Sequence, residues 1–568
     1  MDSLKRLYWS LATGDPIVNL GLLVLACLLV LALLVMGLRR DRQTPWAVPL
    51  MFASAFGLFF LLGPHAVNVY DEGLILAGAL RILGGEMPSA DFYSNYGPAQ
   101  FYLVAGLLKM FGQSLTVTRM YDALMAAAIL PAAWWTLRDT VARWQVPVAL
   151  SLIFVLLLSF SSPLYPITPA IAFILIGCQA TIRVSTGSDV RSNSVLLAIA
   201  IAVLTVFRYD LGVLAVAAFG MPILLVLALQ LRANAITMSY AAKTLGLTAS
   251  LVGLGLVVTL GGLALSGILA PAIHDIVAYN SANYVAMRSL PFPGFVEFRA
   301  KPFASAVVYF PIAASLLGGF AFLRCLRKAG GALDSRHVAI AVLTSVTLVF
   351  YTKGIVRVSP IHTLVADVPA VILFFVSLSS LADQSTAGAA RTVKLVSGAF
   401  VLGMLLVAGA HASNVVSSRD RLFRHLGQHF GHPDVPALGV FSTNPERIEA
   451  ARYVIEATAP TDRIHVGTGR HDKIFVNDVA FYFLVQRLPA TRWHHYDPGV
   501  QTTESVQRAI IADLEDRGVK VIVVDQRWDQ VAEPNKSAES SGVTLLDEYI
   551  SDNFREVRTF GTISVYRR

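Results

Sequence analysis

The sequence is poor in charged residues and in cysteines for a chain of 568 residues. Charged residues make up 14% of it and hydrophobic residues 55%, which excludes a water-soluble globular fold for most of the chain. The three cysteines, Cys27, Cys178 and Cys325, lie in or beside apolar segments without paired or metal-like spacing. We therefore expect neither a disulfide framework nor a zinc site.

The sequence does contain a long series of apolar segments separated by short basic loops. The net charge of +8 raises nucleic-acid binding as an alternative, but Lys and Arg are concentrated in those loops, where positive charge fixes membrane orientation instead. We predict a polytopic α-helical membrane protein of the cytoplasmic (inner) membrane, with no nucleic-acid partner. About 12 transmembrane helices are expected, at 17–38, 47–67, 119–137, 146–161, 164–182, 194–207, 211–231, 245–267, 303–323, 338–352, 361–381 and 394–411.

The composition changes near residue 411, which divides the chain into a transmembrane domain (1–411) and a soluble domain (412–568). Asn444-Pro445 is a typical helix start, and Arg463–Val466 and Val519–Val524 have the pattern of buried strands. The second domain should therefore be α/β, and the charge pattern of the loops makes it extracytoplasmic, that is, periplasmic. Gly467-Thr468-Gly469 alone indicates only a turn. The pair His494-His495 is expected on a solvated surface, because adjacent residues of a strand point to opposite faces.

Between the second and third predicted spans lies an acidic outer loop, 68–118. Asp71 and Glu72 stand directly after the apolar segment 47–67, where ionisable groups call for a functional explanation. An amphipathic stretch follows, then a turn-rich segment with Asp91, then Tyr96-Gly97-Pro98 and a second apolar stretch. We predict two interfacial helices between residues 72 and 112.

Further charged residues recur at the predicted outer ends of later segments: Arg208, Asp210, Arg288, Arg357 and His362. Arginine binds phosphate oxygens bidentately, and a nearby carboxylate can take a proton from an acceptor hydroxyl. This combination suits group transfer from an anionic, lipid-borne donor.

Each of these residues also has a structural alternative. Arg288 and Arg357 could extend to lipid headgroups, and Arg208 with Asp210 could be an ion pair that closes a helix end. Asp91 could turn its loop, Glu72 could stabilise a first helical turn, and His362 could be an ordinary interfacial histidine.

The set of motifs resembles the GT-C superfamily of membrane glycosyltransferases, in particular bacterial relatives of protein O-mannosyltransferases and of the lipid A aminoarabinose transferase. The resemblance rests on Tyr70-Asp71-Glu72-Gly73, Tyr96-Gly97-Pro98, and Arg357 with His362. The resemblance in architecture extends over most of the chain. Two features depart from the family pattern: residues 17–38 add a span before the acidic loop, and no carboxylate stands next to Arg357.

The resemblance implies an inverting transfer, on the outer face, of a sugar from a polyprenyl-phosphate-linked donor to a hydroxyl of an envelope glycan, glycolipid or protein. Asp71 would be the general base, with Glu72 beside it. The donor phosphate would contact Arg357, His362, Arg208 and Arg288, and the acceptor or sugar would contact Asp91, Tyr96 and Asp210. No cofactor or metal is obligatory on this interpretation, which leaves room for a divalent cation that bridges Asp71 or Asp91 to the phosphate.

Two other classes of function compete with this hypothesis. A transporter or flippase of a lipid-linked saccharide would also have many spans and intramembrane charges, but the charges here lie at one face and no inverted repeat is evident. A non-catalytic scaffold of envelope assembly would leave the Asp71-Glu72 pair without a purpose.

Overall fold

The computed structural model describes residues 24–33, 35, 46–64, 66–329, 333–384, 398, 403 and 434–568. Part of the predicted span 17–38, the span 394–411 and the domain boundary at 411/412 lie outside these residues. The number of about 12 spans therefore stays a prediction.

The described apolar helices agree with the predicted spans. Eight are long and apolar enough to cross a membrane, and three are shorter. The long ones are α5 (Leu115–Leu137), α7 (Ile167–Ser185), α8 (Val190–Phe207), α9 (Tyr209–Arg232), α10 (Met238–Leu265), α14 (Pro302–Ala329), α15 (Ser335–Gly354) and α16 (Pro360–Asp383). The shorter ones are α1 (Val24–Leu33), α2 (Ala47–Leu62) and α6 (Gln145–Phe160).

Helix α16 lies at the centre of this bundle. It packs against α14, α15 and α6, and its most apolar window is buried along its whole length. A helix that is apolar all round belongs in the interior of a bundle, which is what the sequence of α16 specifies. Its first turn carries His362, so the position of that histidine is fixed by the central helix.

Two segments between the spans carry short helices. The acidic loop forms α3 (Asp71–Leu83) and α4 (Pro98–Phe111), where the sequence predicted two helices. The segment before α14 forms α11 (Leu269–His274), a π-helical turn (Asp275–Ser281), α12 (Ala282–Arg288) and α13 (Phe295–Ala300).

Residues 434–568 contain a four-stranded sheet of order β1-β2-β4-β3. The strands β1 (His465–Thr468) and β2 (Val521–Asp525) are parallel, and β3 (Arg555–Phe560) and β4 (Ile563–Arg567) complete the sheet antiparallel. Its helices are α17 (Pro445–Ala457), α18 (Ala480–Val485), α19 (Glu504–Asp516) and α20 (Leu545–Asn553). Parallel strands need a long crossover, and α18 and α19 lie within it. The start of α17 and the strands β1 and β2 agree with the predicted helix start and strands.

Helix α3 joins the α/β part to the bundle. It packs against α4 and against α18, and the Ala480 N–H donates to the Val69 carbonyl at 3.0 Å. A Cβ on Gly73 would lie 2.4 Å from the Ala480 nitrogen, so only glycine permits this approach. Residues 72–81 are consequently buried on all sides, more than the amphipathic pattern of the sequence predicted.

Candidate active site

The site is built around the start of α3. The Asn68 Oδ1 accepts hydrogen bonds from the N–H groups of Tyr70 and Asp71, both at 3.0 Å, and so satisfies two donors at the beginning of the helix. Asp71 is thereby fixed in the first turn, where the helix dipole favours a carboxylate.

Glu72 has a different environment from its neighbour. Its carboxylate is fully buried and accepts hydrogen bonds from the Arg119 Nε and Nη2 at 2.6 and 2.7 Å, and from the Asn68 N–H at 2.9 Å. Arg119 lies on α5 and also donates to the carbonyls of Pro64 and Ala66. Glu72 therefore ties α3 to α5.

Asp71 faces a group of cations. Burial raises the pKa of its carboxyl above the ordinary value, and Arg288, Arg357 and Lys353 oppose this effect through their positive charges. Asp71 itself forms no salt bridge with any other residue that the structure describes, in contrast to the arginines around it. A partly desolvated carboxylate near several cations is a typical acid–base group.

Arg288 and Arg357 are held side by side by a short backbone pairing. Leu290 pairs with Arg357 in a parallel bridge, and the Arg357 Nη1 donates to the Arg288 carbonyl at 3.1 Å. Both side chains are paired with carboxylates of the α/β part: the Arg288 Nη2 lies 2.8 Å from the Asp497 Oδ1, and Arg357 binds Glu533. Both arginines therefore point toward the α/β part.

Asp497 connects Arg288 to the acidic motif. The Tyr70 hydroxyl donates to the Asp497 Oδ1 at 2.8 Å, and the Asn95 Nδ2 donates to the Oδ2 at 3.2 Å. Burial disfavours the charged form of Asp497, but Arg288 and the adjacent His495 outweigh it and hold its pKa below the usual value. Asp497 thus remains an anion beside Tyr70.

Arg208 and Tyr96 form the opposite side of the cluster. The Arg208 guanidinium lies over the Tyr96 ring, 5.0 Å from its centroid, and pairs with Asp210 at 2.8 Å. The close approach depends on Gly97, whose N–H donates to the Phe207 carbonyl at 3.1 Å. The Arg208–Asp210 ion pair at the junction of α8 and α9, which was the structural alternative, is present.

His362 and Lys353 complete the cluster through Tyr165. The His362 ring lies 6.3 Å from the Tyr165 ring, and its Nδ1 is 2.6 Å from the Ser359 hydroxyl. The Lys353 Nζ lies 3.4 Å from the Tyr165 hydroxyl. Lys353 lies in the last turn of α15, and Arg208 and Asp210 act on its side-chain nitrogen electrostatically.

Asp91 is the predicted site residue that the structure does not connect to this cluster. Its carboxylate is exposed and accepts from the Met87 N–H at 2.7 Å, which turns the loop between α3 and α4. Asp71, Arg208, Arg288, Arg357, His362 and Tyr96, by contrast, are linked by the direct and electrostatic contacts described above.

The sequence analysis missed four residues of this site: Lys353, Tyr165, Asp497 and Glu533. Lys353 lies four residues before Arg357 at the end of an apolar segment, which is a signal that could have identified it. The expectation that His494 and His495 lie on a solvated surface is wrong. Both histidines are fully buried, and burial lowers the pKa of His495 to about 4.

Within the described ranges, no group of three or more His, Cys, Asp or Glu side chains is arranged to hold a metal ion. A divalent cation that bridges Asp71 or Asp91 to a donor phosphate stays a prediction.

In the described architecture, the acidic loop and the α/β part of residues 434–568 meet at one end of a bundle of apolar helices, and this fold is shared with a solved GT-C structure. Among solved structures, the chain is similar to ArnT, the lipid A aminoarabinose transferase, from Cupriavidus metallidurans bound to undecaprenyl phosphate. The TM-score is 0.53 at 14% identity, over 92% of this chain and 98% of ArnT. The predicted GT-C fold is thus confirmed as a fold.

A second similar structure is the archaeal oligosaccharyltransferase AglB from Archaeoglobus fulgidus in complex with an inhibitory peptide and a dolichol-phosphate. It has a TM-score of 0.45 at 12% identity, over 89% of this chain and 70% of AglB. No protein family model matches the chain, and no curated protein matches its sequence.

Proposed function

We propose that this protein is an integral-membrane, inverting glycosyltransferase that uses a polyprenyl-phosphate-linked sugar donor. The observation that carries the proposal is the half-buried Asp71 carboxylate at the start of α3, on which Arg288, Arg357 and Lys353 act electrostatically. The fold shared with ArnT, whose structure contains undecaprenyl phosphate, supports a lipid-phosphate donor.

The donor phosphate is the leaving group in this proposal. Arg357, Arg288 and Lys353, together with Arg208, compensate the negative charge that develops as the bond between sugar C1 and the phosphate oxygen breaks. His362 contacts the phosphate as a hydrogen-bonding group. Because phosphate is a stable anion once its charge is compensated, its departure needs no proton. The polyprenyl phosphate is then released between the spans.

Asp71 acts as the general base. It takes the proton from the acceptor hydroxyl as the acceptor oxygen bonds to C1 on the face opposite the phosphate, which inverts the anomeric centre. Glu72 is a positioning residue, since its pairing with Arg119 fixes the turn that carries Asp71. Tyr96 and Asp210 line the acceptor or sugar side near Arg208, and Asp91 contacts the acceptor from the loop.

The acceptor is a hydroxyl of an envelope glycan, glycolipid or protein on the outer face of the cytoplasmic membrane. Residues 434–568 then lie in the periplasm, where they cover the site through Asp497 and Glu533. A flippase of a lipid-linked saccharide would need no acid–base residue at this position.

The test is mass spectrometry of envelope glycans and glycolipids from a deletion strain that expresses either the unaltered chain or Asp71→Asn at matched level. We expect Asp71→Asn to lower turnover by a factor on the order of 100 or more, because the general base is lost. Asp552→Asn is the matched control, since Asp552 is exposed on α20. Restoration of the missing sugar by Asp71→Asn would contradict the proposal and favour transport.

A further inference from the structure

Arg357 is already bound in the manner in which an arginine binds phosphate. Its Nη1 and Nη2 each lie 2.7 Å from one oxygen of Glu533, so the two side chains form a bidentate pair. The Arg357 and Glu533 side chains are only 17% and 14% exposed. A guanidinium fork matches a carboxylate and a phosphate with the same geometry.

The donor phosphate and Glu533 therefore compete for the same two nitrogens. The Arg357 Nη1 also donates to the Arg288 carbonyl at 3.1 Å, which fixes the direction of the fork. A phosphate placed next to a retained Glu533 would bring two anions together in a partly desolvated site, which is unfavourable.

Asp497 on Arg288 is not exchangeable in the same way. Its carboxylate is bound by Tyr70 and Asn95 as well as by Arg288, and the His495 Nε2 lies 3.6 Å from it. Glu533, by contrast, receives hydrogen bonds from Arg357 and from the Asn535 Nδ2 at 3.1 Å. Because Glu533 has fewer hydrogen-bond partners than Asp497, its displacement by a ligand costs less free energy.

We propose that Glu533 is a built-in surrogate for the donor phosphate: it occupies Arg357 when no donor is bound, and the lipid phosphate displaces it. The segment around Glu533 thereby sets the affinity for the lipid phosphate and links donor binding to the α/β part. This inference rests on the proposed function, since it requires that Arg357 bind the donor phosphate.

The experiment measures binding of undecaprenyl phosphate to the purified full chain in nanodiscs, without turnover. Glu533→Gln removes the competing charge and should tighten binding by about three- to tenfold, because charge-assisted pairing to Arg357 is lost in the free protein. Glu533→Asp retains the charge but shortens the side chain, so its binding should lie between that of Glu533→Gln and that of the unaltered chain. Glu539→Gln, the same change at an exposed position six residues away, should leave binding unchanged.

The binding data distinguish failure of the role of Glu533 from failure of the proposed function. One outcome is that the unaltered chain binds the lipid and Arg357→Ala weakens binding, but neither Glu533 variant tightens it. Glu533 then has only a structural role, and only this inference is overturned. If the unaltered chain does not bind undecaprenyl phosphate or any longer or shorter polyprenyl phosphate, the proposed function fails as well. Equal thermal stability of the variants establishes that they are folded.

Discussion

Asp71 and Glu72 are adjacent in sequence, yet the protein uses them in opposite ways. Glu72 is neutralised by Arg119 and is buried with its hydrogen bonds satisfied. Asp71 has cations nearby but no salt bridge to another described residue, and burial raises the pKa of its carboxyl. A group whose charged form is disfavoured is costly for folding and is retained where its basicity is used.

The raised pKa of Asp71 gives a pH dependence. A general base must be deprotonated, so kcat/KM should fall as the pH is lowered through the folded-state pKa, and this should occur at a higher pH than for an ordinary aspartate. The same shift means that ionised Asp71 destabilises the folded state once the pH exceeds the unfolded-state value, so Asp71→Asn should not lower the Tm at neutral pH. Rate profiles and thermal unfolding at several pH values test both points. A Tm that falls together with activity would indicate a structural role instead.

Lys353 offers a second test at this scale. Its ammonium contacts Tyr165 and lies near Asp71, Arg208 and Asp210. If it binds the donor phosphate, Lys353→Met should raise the KM for the donor by about tenfold or more, as expected for a charge-assisted hydrogen bond of about 1.5–3 kcal/mol. Lys520→Met, at an exposed position on the α/β part, is the control. An unchanged KM would remove Lys353 from the site.

The sequence predicted one half of this site and missed the other for a physical reason. Asp71 and Arg357 stand close to apolar segments, where a charge is expensive enough to be informative by itself. Glu533 lies in a polar segment in which a carboxylate is unremarkable, and its significance arises only from the tertiary contact with Arg357. The burial of His494 and His495 was missed for the same reason, because α3 and the loop after it cover them in the fold.

At the scale of elements, the Tyr96-Gly97-Pro98 motif shows what a sequence pattern conceals. Pro98 starts α4, which the pattern predicted. The glycine, however, is required by a contact with α8 that no local pattern shows: a Cβ on Gly97 would lie 2.2 Å from the Val206 carbonyl oxygen. The motif therefore places Tyr96 against Arg208 by bringing two backbones into contact.

Gly97→Ala should accordingly separate α4 from the end of α8. We expect a loss of stability of about 1–3 kcal/mol, as for other overpacked sites, together with a loss of activity as Tyr96 moves away from Arg208. Gly106→Ala, within α4 itself, is the control, since a Cβ there meets no atom within 4 Å and alanine favours helix. Thermal unfolding and donor turnover of both variants test whether the contact at Gly97 is required. Equal behaviour of the two variants would contradict this account of the motif.

At the scale of the whole molecule, the α/β part and the helix bundle share one hydrophobic core. Residues of the sheet and of α18 are buried in the same cluster as those of α3, α5 and α16. The active-site cations are then paired across the boundary, with arginines from the bundle side and carboxylates from the α/β part. The composition of the sequence predicted two parts, but it could not show that the site lies between them, since composition carries no information on tertiary contacts.

Another ion pair crosses the same boundary away from the proposed chemistry. The Arg492 Nη2 lies 2.7 Å from the Asp275 Oδ1, and Arg492 also donates from Nη1 to the Ala90 carbonyl at 3.0 Å. Asp275 is fully buried, whereas the Arg492 side chain is 30% exposed. Arg492 therefore joins the α/β part to the acidic loop and to the segment before α14.

Breaking this pair should loosen the α/β part from the bundle. Arg492→Gln should lower stability by about 1–3 kcal/mol, because it leaves the buried Asp275 carboxylate, whose pKa burial already raises, without its ionic partner. Asp275→Asn in that background should recover part of the loss, since it removes the unpaired charge and the two changes act on one interaction. Glu504→Gln, which removes the exposed pair with Arg508, should have no measurable effect. Thermal unfolding of the single and double variants in nanodiscs tests this double-mutant cycle, and protease cleavage between the two parts is a second readout. Additive losses from the two changes would mean that Asp275 and Arg492 stabilise their own parts separately and do not hold the boundary closed.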